Sequence, residues 1–458
     1  MIRGFIIDTG RSDHMNLRKK FLKFVLPSIA SMWVFSLYTM VDGIFVARGV
    51  GECAMAAVNL SMPFTSLVFM VGILLATGTS TIISIALGQG KLSRARDYFN
   101  QNLAVTVIVS LVLAVAVLLH LEKAALFLGA TEDTLVYVKE YVGTIAVFAV
   151  FFTVSYNLEV QVKANGAPQI STVGVFSCAV MNIVLDAVFV LAFGWGVWGA
   201  ALATGLAQVT STLVFLVYFL THRERLKLGR FRFRLKAYRR IVPLGLSEGL
   251  NELSNGLVIF LFNRTILRVI GESALPAYTI ISYVNTLVLM TMTGTAQGMQ
   301  PLVSYHYGAG ERGSCHRLLK YGLIMVSLAS VLSFALGEAG APVIVAAFLE
   351  KDSGIFDYSV QALRMYGCSF LVVGFNVVSA GFFTAMERPI PAFSISLGRS
   401  LVFLAASLLV MSEVFGDRGI WFSTLVSELL CLALTAVCAL RYVCSQRKFC
   451  TSIIQDNI

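Results

Sequence analysis

The chain has 458 residues, of which 57% are hydrophobic and only 13% charged. A soluble domain carries roughly 25% charged residues, so this composition excludes an ordinary globular protein and predicts a polytopic membrane protein. The net charge of +10 sits mostly in the gaps between apolar runs, which favours a role in orienting the chain in a bilayer over nucleic-acid binding.

Residues 1–15 are polar and lack the short apolar core of a signal peptide. They predict a disordered tail. Met15 is followed by Asn-Leu-Arg-Lys-Lys and then the first apolar run, so residues 1–14 are expected to be an extension ahead of the natural start. A membrane span needs about 20 apolar residues. About twelve such runs follow, centred near residues 36, 73, 110, 151, 182, 209, 254, 291, 328, 374, 401 and 431. Their connections alternate in charge. Arg18, Lys19, Lys20 and Lys23 precede the first span, Lys91, Arg94 and Arg96 follow the second, Lys163 follows the fourth, and a cluster from Arg223 to Arg240 follows the sixth. Arg312, Arg317 and Lys320 follow the eighth, Arg388 and Arg399 flank the connection from tenth to eleventh, and Arg441, Arg447 and Lys448 follow the last. The opposite connections hold Glu132 and Asp133, or Glu350, Asp352 and Asp357, with Arg264 and Arg268 as exceptions. This bias predicts both termini on the cytoplasmic side.

The sequence repeats itself. Val50-Gly51-Glu52-Cys53-Ala54 matches Ile270-Gly271-Glu272-Ser273-Ala274, Ala76-Thr77-Gly78 matches Ala296-Gln297-Gly298, and Gly88-Gln89-Gly90 matches Gly308-Ala309-Gly310, all in one register of about 220 residues. Near the end of each half, Gly196-Val197-Trp198 matches Gly419-Ile420-Trp421. A collinear series of this kind indicates an internal duplication. Six spans per half return the chain to the same side, so the halves are parallel copies about an axis along the membrane normal. The expected fold class is an all-α integral membrane protein of about twelve transmembrane helices in two pseudosymmetric six-helix lobes. The expected organisation is an N-terminal tail (1–15), an N-lobe (16–221), a basic cytoplasmic linker (222–240), a C-lobe (241–443) and a C-terminal tail (444–458). The linker alternates Arg230-Phe231-Arg232-Phe233-Arg234, which predicts an amphipathic segment lying on the anionic inner leaflet.

An ionisable group at the bilayer centre costs roughly 3 kcal/mol or more, so it faces a cavity or a partner. The run from Ile170 to Phe193 contains Asn182 and Asp186, one helical turn apart on one face. Asp42 lies inside the first run. The repeat places Phe262 opposite Asp42 and about Leu409 opposite Asp186, whereas the second half carries Glu248 and Glu252 on one face of its own first span. A structural duplication does not require this asymmetry, but a single cation site does. Carboxyls that share a buried pocket are suited to exchanging a proton, and Asn182 can bond either protonation state. The alternative is a satisfied polar pair locking helices together, and for Glu248 a side chain that snorkels to the interface.

Pro27 and Pro243 begin equivalent spans, where proline is tolerated. Pro301 lies within an apolar run and predicts a kink near Gln297 and Gln300. Pro27 and Pro301 are therefore the hinge candidates. Gln297, Gln300, Asn157 and Asn376 are candidates for a substrate cavity, with methionines and phenylalanines as its adaptable apolar wall. The eight cysteines form no CxxC pair and the five histidines are scattered singly, so inert thiols and no metal or cofactor are expected. No GxxxxGK[ST] motif occurs, so ATP is not the expected driver.

At these residues the chain resembles the multidrug and toxic compound extrusion (MATE) family. Val41-Asp42-Gly43-Ile44-Phe45-Val46 resembles its first-span acidic motif, and Gly88-Gln89-Gly90 with Gly308-Ala309-Gly310 its paired inner-loop glycines. Asn182-Ile183-Val184-Leu185-Asp186, followed by the stretch from Gly194 to Thr204, resembles the fifth-to-sixth-span signature, and Gln297-Gly298-Met299-Gln300-Pro301 the eighth-span motif. The resemblance runs from about residue 16 to 445. It implies two lobes forming a V and antiport of organic cations against protons or sodium. It also implies a cation site of Asp42 and Asp186 with the polar residues Tyr141, Asn182 and Thr204, and a cation-linked Glu252. Sodium-coupled members often add an acid on the tenth span, which here reads Tyr366-Gly367-Cys368-Ser369-Phe370 with Asn376 beyond it. The pattern is closer to the MepA-like bacterial branch.

The expected function is therefore efflux of lipophilic organic cations in exchange for H+ or Na+, by a monomer in the bacterial inner membrane. Its partners are small molecules and the lipid bilayer, with no nucleic acid. A lipid-linked oligosaccharide flippase of the same superfamily is the alternative, and it needs a cavity rich in Arg and Lys. A membrane-embedded enzyme needs a His–acid, Ser–His or metal constellation at depth, and only His306 lies close to a span.

Overall fold

The computed structural model describes residues 13–50, 52–222 and 225–455, and the regular structure among them is helical throughout. Twelve long segments follow the apolar runs in order. They are α1 (Asp13–Gly49), α2 (Glu52–Gly88), α3 (Leu92–Leu119), α4 (Leu135–Ala164), α5 (Pro168–Ala192) and α6 (Gly196–Thr221) in the first half. The second half has α7 (Tyr238–Val269), α8 (Leu275–Gly308), α9 (Arg312–Ala339), α10 (Phe356–Gly367 and Phe370–Ala385), α11 (389–415) and α12 (417–455). α10 is bent by 41° at its break. Gly416 separates α11 from α12 with φ of 59°, a conformation favouring glycine. α5 and α11 each contain a π-helical turn, Ala187–Ala192 and Gly398–Val402.

The two halves pack alike. α2 lies on α4 as α8 lies on α10, α3 on α4 as α9 on α10, and α1 on α5 as α7 on α11. Short helices, Leu121–Phe127 and Ala341–Ala346, follow α3 and α9 respectively. Between the lobes, α1 meets α8 as α7 meets α2. Val107, Ile108, Leu111 and Val112 on α3 are exposed, as are Leu328, Val331 and Leu332 on α9. Their three- and four-residue spacing marks the outer faces of those helices as lipid-facing.

The repeated glycines explain the lobe interface. A Cβ on Gly88 would lie 2.0 Å from the Tyr305 carbonyl oxygen, and one on Gly308 would lie 2.2 Å from that of Ile85. Likewise Gly78 abuts the Ile241 carbonyl oxygen at 2.1 Å, Gly245 that of Leu74 at 1.8 Å, and Gly298 the Val25 Cα at 2.7 Å. Small residues let helix backbones approach this closely in a membrane. The second glycine of each motif serves a different end. Gly90 and Gly310 have φ of 71° and 80°, and the following amide reaches back to a carbonyl in the last helical turn, Lys91 to Ala86 and Glu311 to His306. This is the left-handed helix stop that favours glycine.

Two expectations from charge pattern are corrected. Lys163 is not a loop residue but a buried one on α4, its side chain 2% exposed beside Glu159. Arg399 lies inside α11, in the π-helical turn, rather than in a connection. The linker is not helical from residue 230 to 234. Asp97 Oδ1 accepts from the Arg232 amide, Gln101 Oε1 from that of Arg234 and Asn100 Oδ1 from that of Gly229, so its backbone is clamped in extended form to the start of α3. Phe231 and Phe233 remain exposed. α1 continues as helix through Pro27 and α8 through Pro301.

Candidate functional site

A cavity of about 370 Å³ lies between the lobes. It is lined by Met32, Phe35 and Asp42 of α1, Met62 and Phe69 of α2, Glu248 and Glu252 of α7, and Gln297 of α8, among others. On α1, α2 and α7 the glycine-seam positions lie nearer the basic connections than the lining positions do. The cavity is therefore sealed at the basic end and placed toward the opposite end. Phe35 meets Tyr38 at 5.3 Å and Phe69 at 6.1 Å, and Phe69 meets Phe152 at 5.5 Å, all edge to face. These rings form a continuous aromatic wall suited to flat apolar groups and to cations over their faces.

The N-lobe acids converge behind that wall. Asp42 and Asp186 lie within direct electrostatic reach of each other and of Tyr141. Asp186 and Asn182 are fully buried, and the Asn182 amide donates to Thr204 Oγ1 at 3.4 Å. Asn182 Oδ1 is buried without a hydrogen-bond partner, and Asp42 Oδ1 and both Asp186 oxygens find no donor outside the Asp42–Asp186 pair, whose carboxyls lie in hydrogen-bonding reach of each other. Unsatisfied buried acceptors are costly and mark a site that waits for a donor or ion. Asp42, Tyr141 and Thr204 line the cavity, whereas Asn182 and Asp186 stand one layer behind it.

A second charged cluster closes the floor between the lobes, and charge pattern alone did not predict it. Lys163 Nζ lies 2.8 Å from Glu159 Oε1, which also accepts from Ser171 Oγ at 2.9 Å. Lys163 reaches Gln297 Oε1 of the other lobe at 3.4 Å, and Gln297 donates to the Tyr156 hydroxyl at 3.3 Å. Thr77 donates to Glu248 Oε2 at 3.1 Å, a second cross-lobe contact. The i, i+4 spacing of Glu159 and Lys163 was the available signal, hidden because a lysine near a span end resembles a loop charge.

The other cavity candidates do not gather there. Gln297, Glu248 and Glu252 line the cavity, but Gln300, Asn157 and Asn376 are absent from its lining and buried in helix packing. Asn157 donates to Thr106, and Asn376 to Glu428, so both serve packing within a lobe. The second half is also not without a deep acid of its own: Glu428 on α12 is buried beside Arg399 at 3.5 Å.

The chain is similar to known proteins over most of its length. A family model described as MatE matches residues 27–188 and 250–408. Multidrug export protein MepA of Staphylococcus aureus is 23% identical over 430 residues, covering 90% of this chain and 91% of that protein. The protein of the same name in Staphylococcus saprophyticus is 23% identical over 422 residues with the same coverage. A crystal structure of MATE in complex with MaL6 superposes with a TM-score of 0.90 at 20% identity, covering 94% of this chain and 97% of the other. The outward-facing conformation of a multidrug resistance MATE family transporter gives 0.89 at 20% identity, covering 96% and 100%. At that identity the likeness to solved structures concerns the fold.

Proposed function

This chain belongs to the MatE family, and from that premise we propose that it exports lipophilic organic cations in exchange for protons by alternating access. The carrying observation is the pair Asp42 and Asp186, two carboxyls in hydrogen-bonding reach of each other and, among the described residues, without a basic counterion, beside a cavity shared by both lobes. Sodium is the other candidate ion for the same pair. The basic connections orient the sealed end toward the cytoplasm, with both termini there, and the transporter acts as a monomer in the bacterial cytoplasmic membrane.

In this reading, the cavity presents the aromatic wall to the flat part of a substrate and the carboxyls to its charge. Protonation of the Asp42–Asp186 pair from outside removes the charge that held the substrate, and the substrate leaves. The lobes then part along the glycine seam and close at the other end. Release of the proton to the cytoplasm restores the anion for the next substrate. Each ligand shifts the lobes only by its differential affinity for the two states.

Inverted membrane vesicles test this. An acid-inside gradient alone is expected to drive uptake of a fluorescent organic cation. Uptake driven by a sodium gradient alone moves the coupling ion to sodium. Uptake driven by neither removes the exporter reading.

A further inference from the structure

We propose that the linker segment from Leu226 to Leu235 is a docking surface for anionic phospholipids of the inner leaflet. Arg230 and Arg232 hold the headgroup phosphates, and Phe231, Phe233 and Leu235 enter the interface. The inference is independent of what the central cavity carries. It starts from the backbone of the segment. Leu226 is fully buried in the N-lobe, and its amide donates to Asn165 Oδ1 at 3.2 Å. Asn100 donates to the Lys227 carbonyl and accepts from the Gly229 amide, both at 2.9 Å. The amides of Arg232 and Arg234 reach Asp97 and Gln101 at 3.1 and 2.8 Å. The segment is thus already held against the N-lobe, and a preorganised surface has little ordering entropy to lose on binding.

What the segment shows to the outside is both apolar and basic. Phe231, Phe233 and Leu235 are 37%, 58% and 71% exposed. Arg234 is occupied, its guanidinium 3.4 Å from Asp97 Oδ2. Arg230 and Arg232 are exposed, and among the described residues their guanidiniums meet no acid and no other acceptor. Lys227 and Lys236 add exposed positive charge on either side. An apolar stripe set among free cations marks an interaction surface, and an arginine fork matches two phosphate oxygens at once. The helix face that holds the segment also gives its depth. Asp97, Gln101, Ala104, Ile108 and Leu111 are spaced by four, three, four and three residues, so they share one face of α3. That face is the one that turns Ile108 and Leu111 to lipid. From Ile108, near the middle of the apolar part of α3, to Asp97 is about 16 Å at about 1.5 Å per residue. Half of a hydrocarbon core is about 15 Å, so the segment lies at headgroup level, on the side that the basic connections assign to the cytoplasm. All its contacts named above are with the N-lobe, whereas Arg240 pairs with Glu387 at the end of α10. Bound lipid therefore anchors the N-lobe, at the point where the chain passes to the other lobe.

The test places a tryptophan on the segment, Phe233→Trp, in the full chain reconstituted into nanodiscs of fixed phosphatidylglycerol and phosphatidylcholine content. In paired preparations an equal mole fraction of one lipid or the other carries bromine on its acyl chains, which quenches a tryptophan that it touches. The signal of the wild type, with its four native tryptophans, is subtracted. Both lipids are expected to quench Phe233→Trp, brominated phosphatidylglycerol the more strongly. That preference should fall about fivefold for each arginine removed, as in R230Q and then R230Q/R232Q. Glutamine at 232 keeps the backbone amide that Asp97 holds, so the segment stays docked. Salt at about 1 M, where the Debye length is about 3 Å, should erase most of the preference without any substitution. Quenching by neither lipid leaves the segment in water and overturns the proposal. Equal quenching by both, or a preference that survives either R230Q/R232Q or high salt, overturns it as well.

Discussion

The glycine seam makes a quantitative demand on the lobe interface. An alanine at Gly245 would place its Cβ 1.8 Å from the Leu74 carbonyl oxygen, where real Cβ atoms essentially never come within 3.0 Å. α7 and α2 would have to part by at least about 1.2 Å locally, and the obstacle is backbone, which cannot rotate away. Overpacking costs about 1–3 kcal/mol, which is about a 5- to 150-fold shift in a two-state equilibrium. Gly245→Ala is therefore expected to depopulate the arrangement sealed at the basic end. Spin labels at Lys91→Cys and Gly313→Cys, on opposite lobes, read the separation by pulsed dipolar spectroscopy. The wild-type pair should show a dominant short distance, and Gly245→Ala a longer one with slowed efflux. Gly256→Ala on the same helix has nothing within 4 Å of the added carbon and should match wild type. A Gly245→Ala variant with the wild-type distance distribution and rate would refute the seam.

The floor cluster and the acid pair make two further predictions. Lys163→Met leaves Glu159 buried without its cation, a loss of about 3–5 kcal/mol; thermal unfolding in detergent should show a lowered midpoint that the E159Q/K163M double variant largely recovers, and equal midpoints in both would remove the pair from the stability account. Asp186→Asn and Asp42→Asn are near-isosteric and remove a buried charge, so each should abolish coupled dye efflux at wild-type expression and wild-type thermal stability. Full efflux by both variants would move coupling to Glu252 of the other lobe.

Much of the fold was legible because periodicity and repetition are properties of the chain itself. The apolar runs correspond to twelve long helical segments among the described residues, and the paired glycine motifs marked positions whose reciprocal role is now visible in the Gly88–Tyr305 and Gly308–Ile85 contacts. Asp42, Asn182 and Asp186 stood out because charge and amide are rare inside an apolar run. Lys163 did not, because it lies near a run's end, where a basic residue has an ordinary explanation in membrane orientation; Arg399 lies inside α11 but reads from charge pattern as flanking the connection before it. Glu428 carries the same signal, a charge inside an apolar run, and was passed over; three-dimensional placement pairs it with Arg399. Asn157 and Asn376 show the converse: polar residues in spans that satisfy neighbours within one lobe and never reach the cavity. Sequence marks which residues are costly to bury; packing decides which of them have already found a partner.

That division bears on energetics. Glu428 has Arg399 and Glu159 has Lys163, so these acids carry their own counterions. Among the described residues, Asp42 and Asp186 form no ion pair with a basic side chain, and Asp186 meets no hydrogen-bond donor other than the Asp42 carboxyl. Their charge must be balanced from outside. Two carboxylates this close titrate as a coupled unit, and their mutual repulsion disfavours both being ionised together. The pair is then expected to exchange one proton for one monovalent substrate. Such an exchange moves no net charge, so the membrane potential, worth about 2.3 kcal/mol per charge per 100 mV, contributes nothing. Only the pH gradient drives it, at about 1.4 kcal/mol per pH unit. Exchange of two protons would instead recover the voltage term, adding roughly 3.5 kcal/mol at about 150 mV, or a few hundredfold in accumulation. A potassium diffusion potential imposed on inverted vesicles at equal pH separates the two. No uptake of a monovalent dye above the zero-potential control is expected. Uptake driven by potential alone would mean that both acids titrate in the cycle and that the single-proton exchange is wrong.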